Sequence, residues 1–150
     1  MPKRYVLPGF LDGVVTPAHY EGWLRKKASA HVRRDRGRGN ASATGEAYRL
    51  AIHDAVMKSC GCDAYTGEQL DWTLIGSYDN EQSEANGRQY KHSLALLPTV
   101  DHVGDGGGAP DFRICGWRTN DAKHDLSLES FLALCQRVLE HHGYSVKAGA

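Results

Sequence analysis

Residues 99–125 read TVDHVGDGGGAPDFRICGWRTNDAKHD and place a run of glycines between two short apolar segments. The first segment, Leu94–Val103, is apolar and β-prone around Pro98, and Phe112–Trp117 resumes that character. Four glycines and a proline within residues 104–110 exclude regular structure there. We therefore predict a strand, a glycine-rich loop and a second strand.

Three helices are predicted on either side of this hairpin. The first runs through about Arg36 from Thr16-Pro17, an N-cap followed by a proline suited to the first helical position. The second covers about 44–59, where apolar residues recur at helical spacing. The third covers Leu128–His141, with Cys135 on its apolar face as a buried thiol. The predicted class is therefore α+β, a small β-hairpin core flanked by N-terminal helices and a C-terminal helix.

The chain length suits one domain over 1–150. Within it we predict a basic helical extension over 16–59, a core over 60–125 and the C-terminal helix over 127–142. The core begins with a tight turn at residues 60–72, which we call the knuckle. A polar surface excursion over 76–92 follows the knuckle.

Composition is that of an ordinary globular protein, with 41% hydrophobic and 24% charged residues. Apolar runs are too short to span a bilayer, and residues 1–5 lack the apolar core of a secretion signal. We therefore expect a cytoplasmic protein without membrane association. In that reducing compartment, the four cysteines are expected to be thiols.

Positive charge is concentrated in one part of a chain whose formal net charge is zero. Residues 21–40 contain seven Lys/Arg against two acids, a local net charge of +5. Such asymmetry is typical either of a polyanion partner or of a solvated helix face.

Asp101, His102 and Asn120 have the chemistry of a metal-dependent hydrolase. Carboxylate and amide oxygens are hard ligands that suit Mg²⁺, and an imidazole that titrates near neutrality takes a proton from water. Adjacent strand residues point to opposite faces, so Asp101 and His102 need a twist or bulge to act at one site. We expect the glycine-rich loop that follows them to allow it.

This part of the chain resembles the HNH, or ββα-metal, nuclease superfamily. That family has an Asp-His pair at the end of a first strand, a glycine-containing loop, a central Asn and a final His or Asn where a helix starts. The matching segments, with Asp111 in place of the central Asn, are Thr99–His102, Gly106–Gly108, Pro110–Phe112 and Thr119–Lys123. The resemblance covers residues 62–125, apart from the polar excursion.

The resemblance implies a phosphodiester hydrolase acting on DNA, with RNA as the other possible polyanion. Asp101 and Asn120 would hold one Mg²⁺, for which Mn²⁺ can substitute, with His124 as a possible third ligand. His102 would activate the attacking water, oriented by a backbone carbonyl or by Asp111. The residues expected to contact phosphates are Arg25, Lys26, Arg33, Arg34 and Arg36 on the first helix, and Arg113, Arg118 and Lys123 near the site.

Many members of that family also hold the knuckle with a zinc ion and two Cys-x-x-Cys pairs. The corresponding positions here are Asp63, Thr66, Gly116 and Thr119. Structural zinc sites need four Cys/His ligands, so we expect no structural zinc, although Cys60, Cys62 and Cys115 lie nearby. Packing of Tyr65, Leu70 and Trp72 is expected to hold the knuckle instead.

Two alternatives remain beside the nuclease hypothesis. The changes at Asp111 and at the cysteine positions favour a non-catalytic nucleic-acid-binding protein on a degenerate HNH scaffold. The basic helix alone is also compatible with a small regulatory protein that docks an acidic partner.

Overall fold

The computed structural model describes residues 5–75, 92–104 and 107–149. Of the predicted polar excursion, residues 76–91 lie outside this part of the chain, as does Gly106 of the glycine-rich loop. The described residues form four α-helices, two short 3₁₀ turns and one two-stranded antiparallel sheet, which confirms the predicted α+β class. They group into two compact units, Met1–Asn120 and Asp121–Ala150. The prediction of one domain over 1–150 stays a prediction.

Helix α1, Pro17–Gly37, begins where the sequence predicts it. The Thr16 hydroxyl accepts a hydrogen bond from the backbone N–H of His19 at 3.1 Å, and Pro17 occupies the first helical position. One face of the helix is buried, and this face consists of Tyr20, Trp23, Leu24, Ala28, Val32 and Asp35. All of these are apolar or aromatic except Asp35, which is an acid within the buried stripe of a basic helix.

Helix α2, Gly45–Ser59, is capped by Thr44, whose hydroxyl accepts from the backbone N–H of Ala47 at 3.2 Å. It ends where Cys60 and Gly61 both take positive φ angles, 50° and 90°. Its buried residues, Tyr48, Ile52, Ala55 and Val56, share one core with the inward face of α1.

The hairpin consists of β1, Pro98–His102, and β2, Phe112–Gly116. Its register is continuous from Pro98 opposite Gly116 to His102 opposite Phe112. Alternate side chains of a strand point to opposite faces. The core face carries Val100, Phe112 and Ile114, which belong to the hydrophobic core of the helices. The other face, which we call the outer face, carries Thr99, Asp101, Arg113 and Cys115.

Helix α3, Trp117–Lys123, follows β2 without a connecting loop. In chain order, two strands are therefore followed directly by a helix. The N–H of Trp117 donates to the Leu97 carbonyl at 2.9 Å, and the N–H of Arg118 donates to the Ala95 carbonyl at 3.2 Å. These bonds join the start of α3 to the segment just before β1.

The last helix, α4, covers Leu128–His141 as predicted and is capped by the Ser127 hydroxyl. None of its residues is buried, and Leu132 is 58% exposed. Cys135 is accordingly only half-buried, so the prediction of a buried thiol there is wrong. No helix among the described residues has the length and apolar character needed to cross a membrane.

Candidate active site

His102 is the last residue of β1 and lies on the core face of the hairpin. Its side chain is only 7% exposed, and its Nε2 atom is 2.8 Å from Oδ2 of Asp35 on α1. The two residues are 67 positions apart in sequence, so the packing of α1 along the hairpin creates this pair.

Asp35 is 1% exposed and is shared between His102 and a tyrosine. The Tyr48 hydroxyl of α2 donates to Asp35 Oδ2 at 2.5 Å. Burial, together with this hydrogen bond, raises the pKa of Tyr48 to about 12, so its hydroxyl keeps its proton. Asp35 Oδ1 is buried and has no hydrogen-bond partner in the described part of the chain.

Aromatic rings fix the plane of the His102 imidazole. The Phe112 ring meets it edge-on, with centroids 5.0 Å apart and an interplanar angle of 83°. The His31 ring of α1 lies 5.8 Å from it. Burial is the main reason that the pKa of His31 falls to about 4, with Arg34, His102 and Lys27 adding to the effect, so this ring is uncharged at neutral pH.

Asp101, the predicted metal ligand, lies on the outer face of the hairpin. It is 5% exposed, and the Tyr65 hydroxyl of the knuckle donates to its Oδ2 at 2.5 Å. Burial, followed by this hydrogen bond, raises the pKa of Tyr65. The described register of β1 and β2 contains no bulge, so Asp101 and His102 point to opposite faces. The twist or bulge that we expected from the glycine-rich loop does not occur within the β1–β2 pairing. The loop begins only after His102.

The other two predicted metal ligands differ in position. Asn120 is half-buried in α3. His124 lies just beyond the end of α3 in a left-handed conformation with φ 53°, and its Nδ1 is 3.1 Å from Asp125 Oδ1. Its side chain is 81% exposed, as expected for a surface residue.

Asp111, the predicted orienting carboxylate, is exposed and forms an ion pair with Arg113 at 2.6 Å. Its backbone carbonyl accepts from the N–H of Val103 at 2.8 Å, which extends the hairpin by one hydrogen bond. The carboxylate that contacts His102 is instead Asp35.

The basic side chains predicted on the first helix are all on the surface. Arg25, Lys26, Arg33, Arg34 and Arg36 are exposed. Arg36 also donates from Nε to the Ala43 carbonyl at 2.9 Å, which ties the end of α1 to the segment before α2.

The three cations predicted near the site do not share one environment. Arg113 and Arg118 are exposed and form ion pairs with Asp111 and Glu68, respectively. Lys123 is buried. A buried ammonium is less accessible to a phosphate than the exposed guanidinium groups.

A carboxylate joins the knuckle to β2 at the positions where the resemblance places zinc ligands. Asp63 Oδ2 accepts from the N–H of Gly116 at 2.9 Å, and Oδ1 accepts from the N–H groups of Tyr65 and Thr66 at 2.8 and 3.1 Å. Burial alone would raise the pKa of Asp63, but these bonds and the Thr119 side chain lower it below its ordinary value of 3.8. Three of the four positions, Asp63, Thr66 and Gly116, are thus joined through the Asp63 carboxylate.

Gly116 is required at this junction for steric reasons. A Cβ atom there would lie 2.7 Å from the Ala95 carbonyl oxygen, closer than such atoms approach. The predicted packing is also present, because Leu70 and Trp72 are buried and the Trp72 indole donates to the Gly61 carbonyl at 3.1 Å. Tyr65 is half-buried and is held by Asp101.

Two cavities lined by described residues lie near the hairpin. One of about 500 Å³ lies beside Asp35 and is lined by residues 38–42 and Gly107 of the glycine-rich loop. The larger one, about 660 Å³, lies between α2, the knuckle and β2 and is lined by neither His102 nor Asp101. Neither cavity is lined by His102, and of the His102–Asp35 pair only Asp35 lines the smaller one.

The donor set available to a metal consists of oxygen atoms. Within the described ranges, no group of three or more His, Cys, Asp or Glu side chains is arranged to hold an ion. Asp101 and Asn120 offer a carboxylate and an amide oxygen, and Mg²⁺ commonly takes one or two protein oxygens and fills its other positions with water and phosphate. The oxygen chemistry of these two donors, rather than an arrangement of three or more ligands, is what favours Mg²⁺ here.

Sequence reasoning missed Asp35, Tyr48 and the bonding role of Asp63. A signal for Asp35 existed, since it follows Tyr20, Leu24, Ala28 and Val32 on the apolar stripe of α1. An acid on a stripe that faces the core needs a buried partner.

The fold and the site are interpreted from this chain alone, because comparison with known proteins found no match. The chain matches no protein-family model, no curated protein sequence and no solved structure.

Proposed function

We propose that this protein is a metal-dependent endonuclease that hydrolyses phosphodiester bonds of DNA, with His102 as the general base. The observation that carries the proposal is the His102–Asp35 pair, which lies at the end of β1 in a strand–strand–helix element. A histidine hydrogen-bonded to a carboxylate through one ring nitrogen has the other available to take a proton from water.

Asp101 precedes His102 and belongs to the opposite face of β1, so under this proposal the two side chains would have separate roles, metal binding and proton transfer. Asp101 and Asn120 would hold Mg²⁺, which when bound stabilises the negative charge that develops on the phosphate. Both side chains are largely buried in the described structure, Asp101 at 5% and His102 at 7% exposure, so DNA would reach them at the end of the hairpin. Exposed Arg33 and Arg36 on α1 supply sequence-independent affinity for the DNA backbone.

The test is cleavage of supercoiled plasmid in Mg²⁺ by the wild-type protein, His102→Ala and His53→Ala. His53 is a matched control because it is a partly buried histidine bonded to a tyrosine, Tyr20, rather than to Asp35. We expect His102→Ala to cut roughly 10²–10⁴-fold more slowly, the usual contribution of a general base, and His53→Ala to cut like wild type. Undiminished cutting by His102→Ala contradicts the proposal.

A non-catalytic nucleic-acid-binding protein is the second candidate. It is favoured by the opposite orientations of Asp101 and His102 and by the Tyr65 hydroxyl on Asp101. This candidate predicts salt-sensitive DNA binding that is indifferent to Mg²⁺ and to His102→Ala, with no cleavage by the wild-type protein.

A further inference from the structure

Asp35 is a buried acid that nothing in the sequence motif assigns to the site. We propose that Asp35 is the positioning residue of the general base: it holds His102 in the tautomer with the proton on Nε2, so that Nδ1 is left to accept a proton from water. The inference rests on the proposed function for its catalytic meaning, but its structural part can be measured without any reaction.

The hydrogen-bond directions support this tautomer. The Tyr48 hydroxyl donates to Asp35 Oδ2 at 2.5 Å, and the same oxygen lies 2.8 Å from His102 Nε2. An ionised carboxylate oxygen only accepts, so bonding to ionised Asp35 places the hydrogen on His102 Nε2. The pair thus specifies which nitrogen is protonated as well as where the ring lies.

Ring packing limits rotation of the imidazole about this bond. Phe112 and His31 contact the ring from the hairpin and from α1, and both are themselves anchored, Phe112 in the core and His31 by Arg34 at 3.0 Å. A hydrogen bond at Nε2 together with these rings fixes both the orientation and the direction of Nδ1.

The cost of burying Asp35 argues for a role beyond stability. Its Oδ1 is buried without a partner among the described residues, and such an atom is expensive to take out of water. A position selected only for stability would favour an apolar residue, as on the rest of the α1 stripe.

The position of Asp35 on α1 also links two parts of the proposed function. Arg33, Arg34 and Arg36 surround it in sequence and are exposed, while Asp35 points into the core. The turn of α1 that would contact the DNA backbone therefore also holds the general base, His102. The arginines would bind phosphate, and Asp35 would position the imidazole.

The first test is spectroscopic and needs no substrate. In protein labelled with ¹⁵N and ¹³C at histidine, at mildly alkaline pH, we expect the His102 signals of an Nε2–H ring in the wild type. We expect a mixture of tautomers in Asp35→Asn, since the amide no longer favours one of them. An Nδ1–H ring or a doubly protonated ring in the wild type would overturn the inference.

The second test separates kcat from KM in plasmid cleavage. We expect Asp35→Asn to lower kcat by about 10²-fold or more while KM changes less than about twofold, because a positioning residue acts on the base rather than on DNA binding. Tyr20→Phe, which removes another fully buried tyrosine hydroxyl from the core, is a control that should retain wild-type kcat. Thermal melting is used to check that each variant is folded.

The two proposals fail in different ways. If His102→Ala cuts normally, the proposed function fails, whatever tautomer His102 has. If His102→Ala is inactive but Asp35→Asn keeps wild-type kcat, or if the wild-type tautomer is not Nε2–H, the role of Asp35 is wrong and the proposed function stands.

Discussion

Asp101 and His102, which are neighbours at the end of β1, are bonded to different parts of the chain. On the core face, His102 is bonded to Asp35 of α1, and a second buried donor, Tyr48, comes from α2. On the outer face, Asp101 is bonded to Tyr65 of the knuckle, and the knuckle is held by Asp63. The two neighbours thus have different partners, one on the helices and the other on the knuckle, although α1 also reaches the outer face, where Lys27 Nζ donates to Thr99 Oγ1 at 3.3 Å.

We expect the largest loss of stability from Asp63→Ala, which removes the acceptor that holds the knuckle. The substitution leaves the N–H groups of Gly116, Tyr65 and Thr66 without their acceptor, and we expect the free energy of unfolding to fall by about 2–4 kcal/mol. Urea denaturation measures it. Asp71→Ala is the control, because Asp71 is an exposed cap of a 3₁₀ turn and its removal should cost only about 1 kcal/mol. Equal losses would show that Asp63 does not fasten the knuckle.

Acid should weaken the contacts of His31, beside the core face, and those of Asp63, in the knuckle, over separate pH ranges. The folded pKa of His31 is about 4, below its ordinary value of 6.5, so the unfolded chain binds this proton first and stability falls as the pH drops from 6.5 to 4. We expect a loss on the order of 1–3 kcal/mol from this group. Asp63 has a pKa below 3.8, so its contribution is lost only at still lower pH.

Chemical denaturation across this pH range checks the prediction in the wild type and in His31→Gln. The variant should lose less stability between pH 6.5 and 4 and should keep the steeper loss below 3.8. An unchanged profile in His31→Gln would exclude His31 as the group that titrates on the core face.

A pair of tyrosine variants compares the two faces directly. Tyr48 and Tyr65 each donate to a carboxylate at 2.5 Å, but Tyr48 is fully buried and Tyr65 is half-buried. We expect Tyr48→Phe to cost about 1–2 kcal/mol and Tyr65→Phe about 0.5–1 kcal/mol, since water replaces the lost donor more readily beside the half-buried Tyr65 than beside the fully buried Tyr48. Thermal denaturation measures the difference, and a larger loss for Tyr65→Phe would reverse the comparison.

The smallest effect is expected from a single phosphate contact on α1. Arg33→Ala should weaken DNA binding and reduce the slope of log affinity against log salt concentration by about one. Fluorescence anisotropy at several salt concentrations measures it. Lys58→Ala, an exposed cation on α2, should leave the slope unchanged. The assignment of α1 as the DNA-binding helix is wrong if both variants behave alike.

Helix boundaries were predictable because their signals are local. Thr16, Thr44 and Ser127 each cap a helix through an acceptor bond to the third residue on, and α4 has the predicted bounds. The two strands also lie within the predicted apolar segments, although β1 begins only at Pro98. Helix α3 was harder to predict, because it starts at Trp117, directly after β2 and without a turn that marks the change.

The partners of the candidate site were not predictable, because they are distant in sequence. Asp35, Tyr65 and Asp63 meet His102, Asp101 and Gly116 across 67, 36 and 53 residues, and no local pattern specifies such pairs. The sequence placed Asp101 and His102 correctly at the end of a strand, and the pleat then directed them apart. From the sequence, Asp35 is recognisable only as an acid on the buried stripe of α1, with no indication that its partner is His102.

Asp63 joins the knuckle to β2 through hydrogen bonds within the chain, so this junction can form without a bound ion. We expect protein kept in EDTA to retain the melting temperature of untreated protein, while the proposed cleavage stops until Mg²⁺ is returned. Folding and turnover would then respond to different conditions, and a chelator would act as a reversible inhibitor rather than as a denaturant.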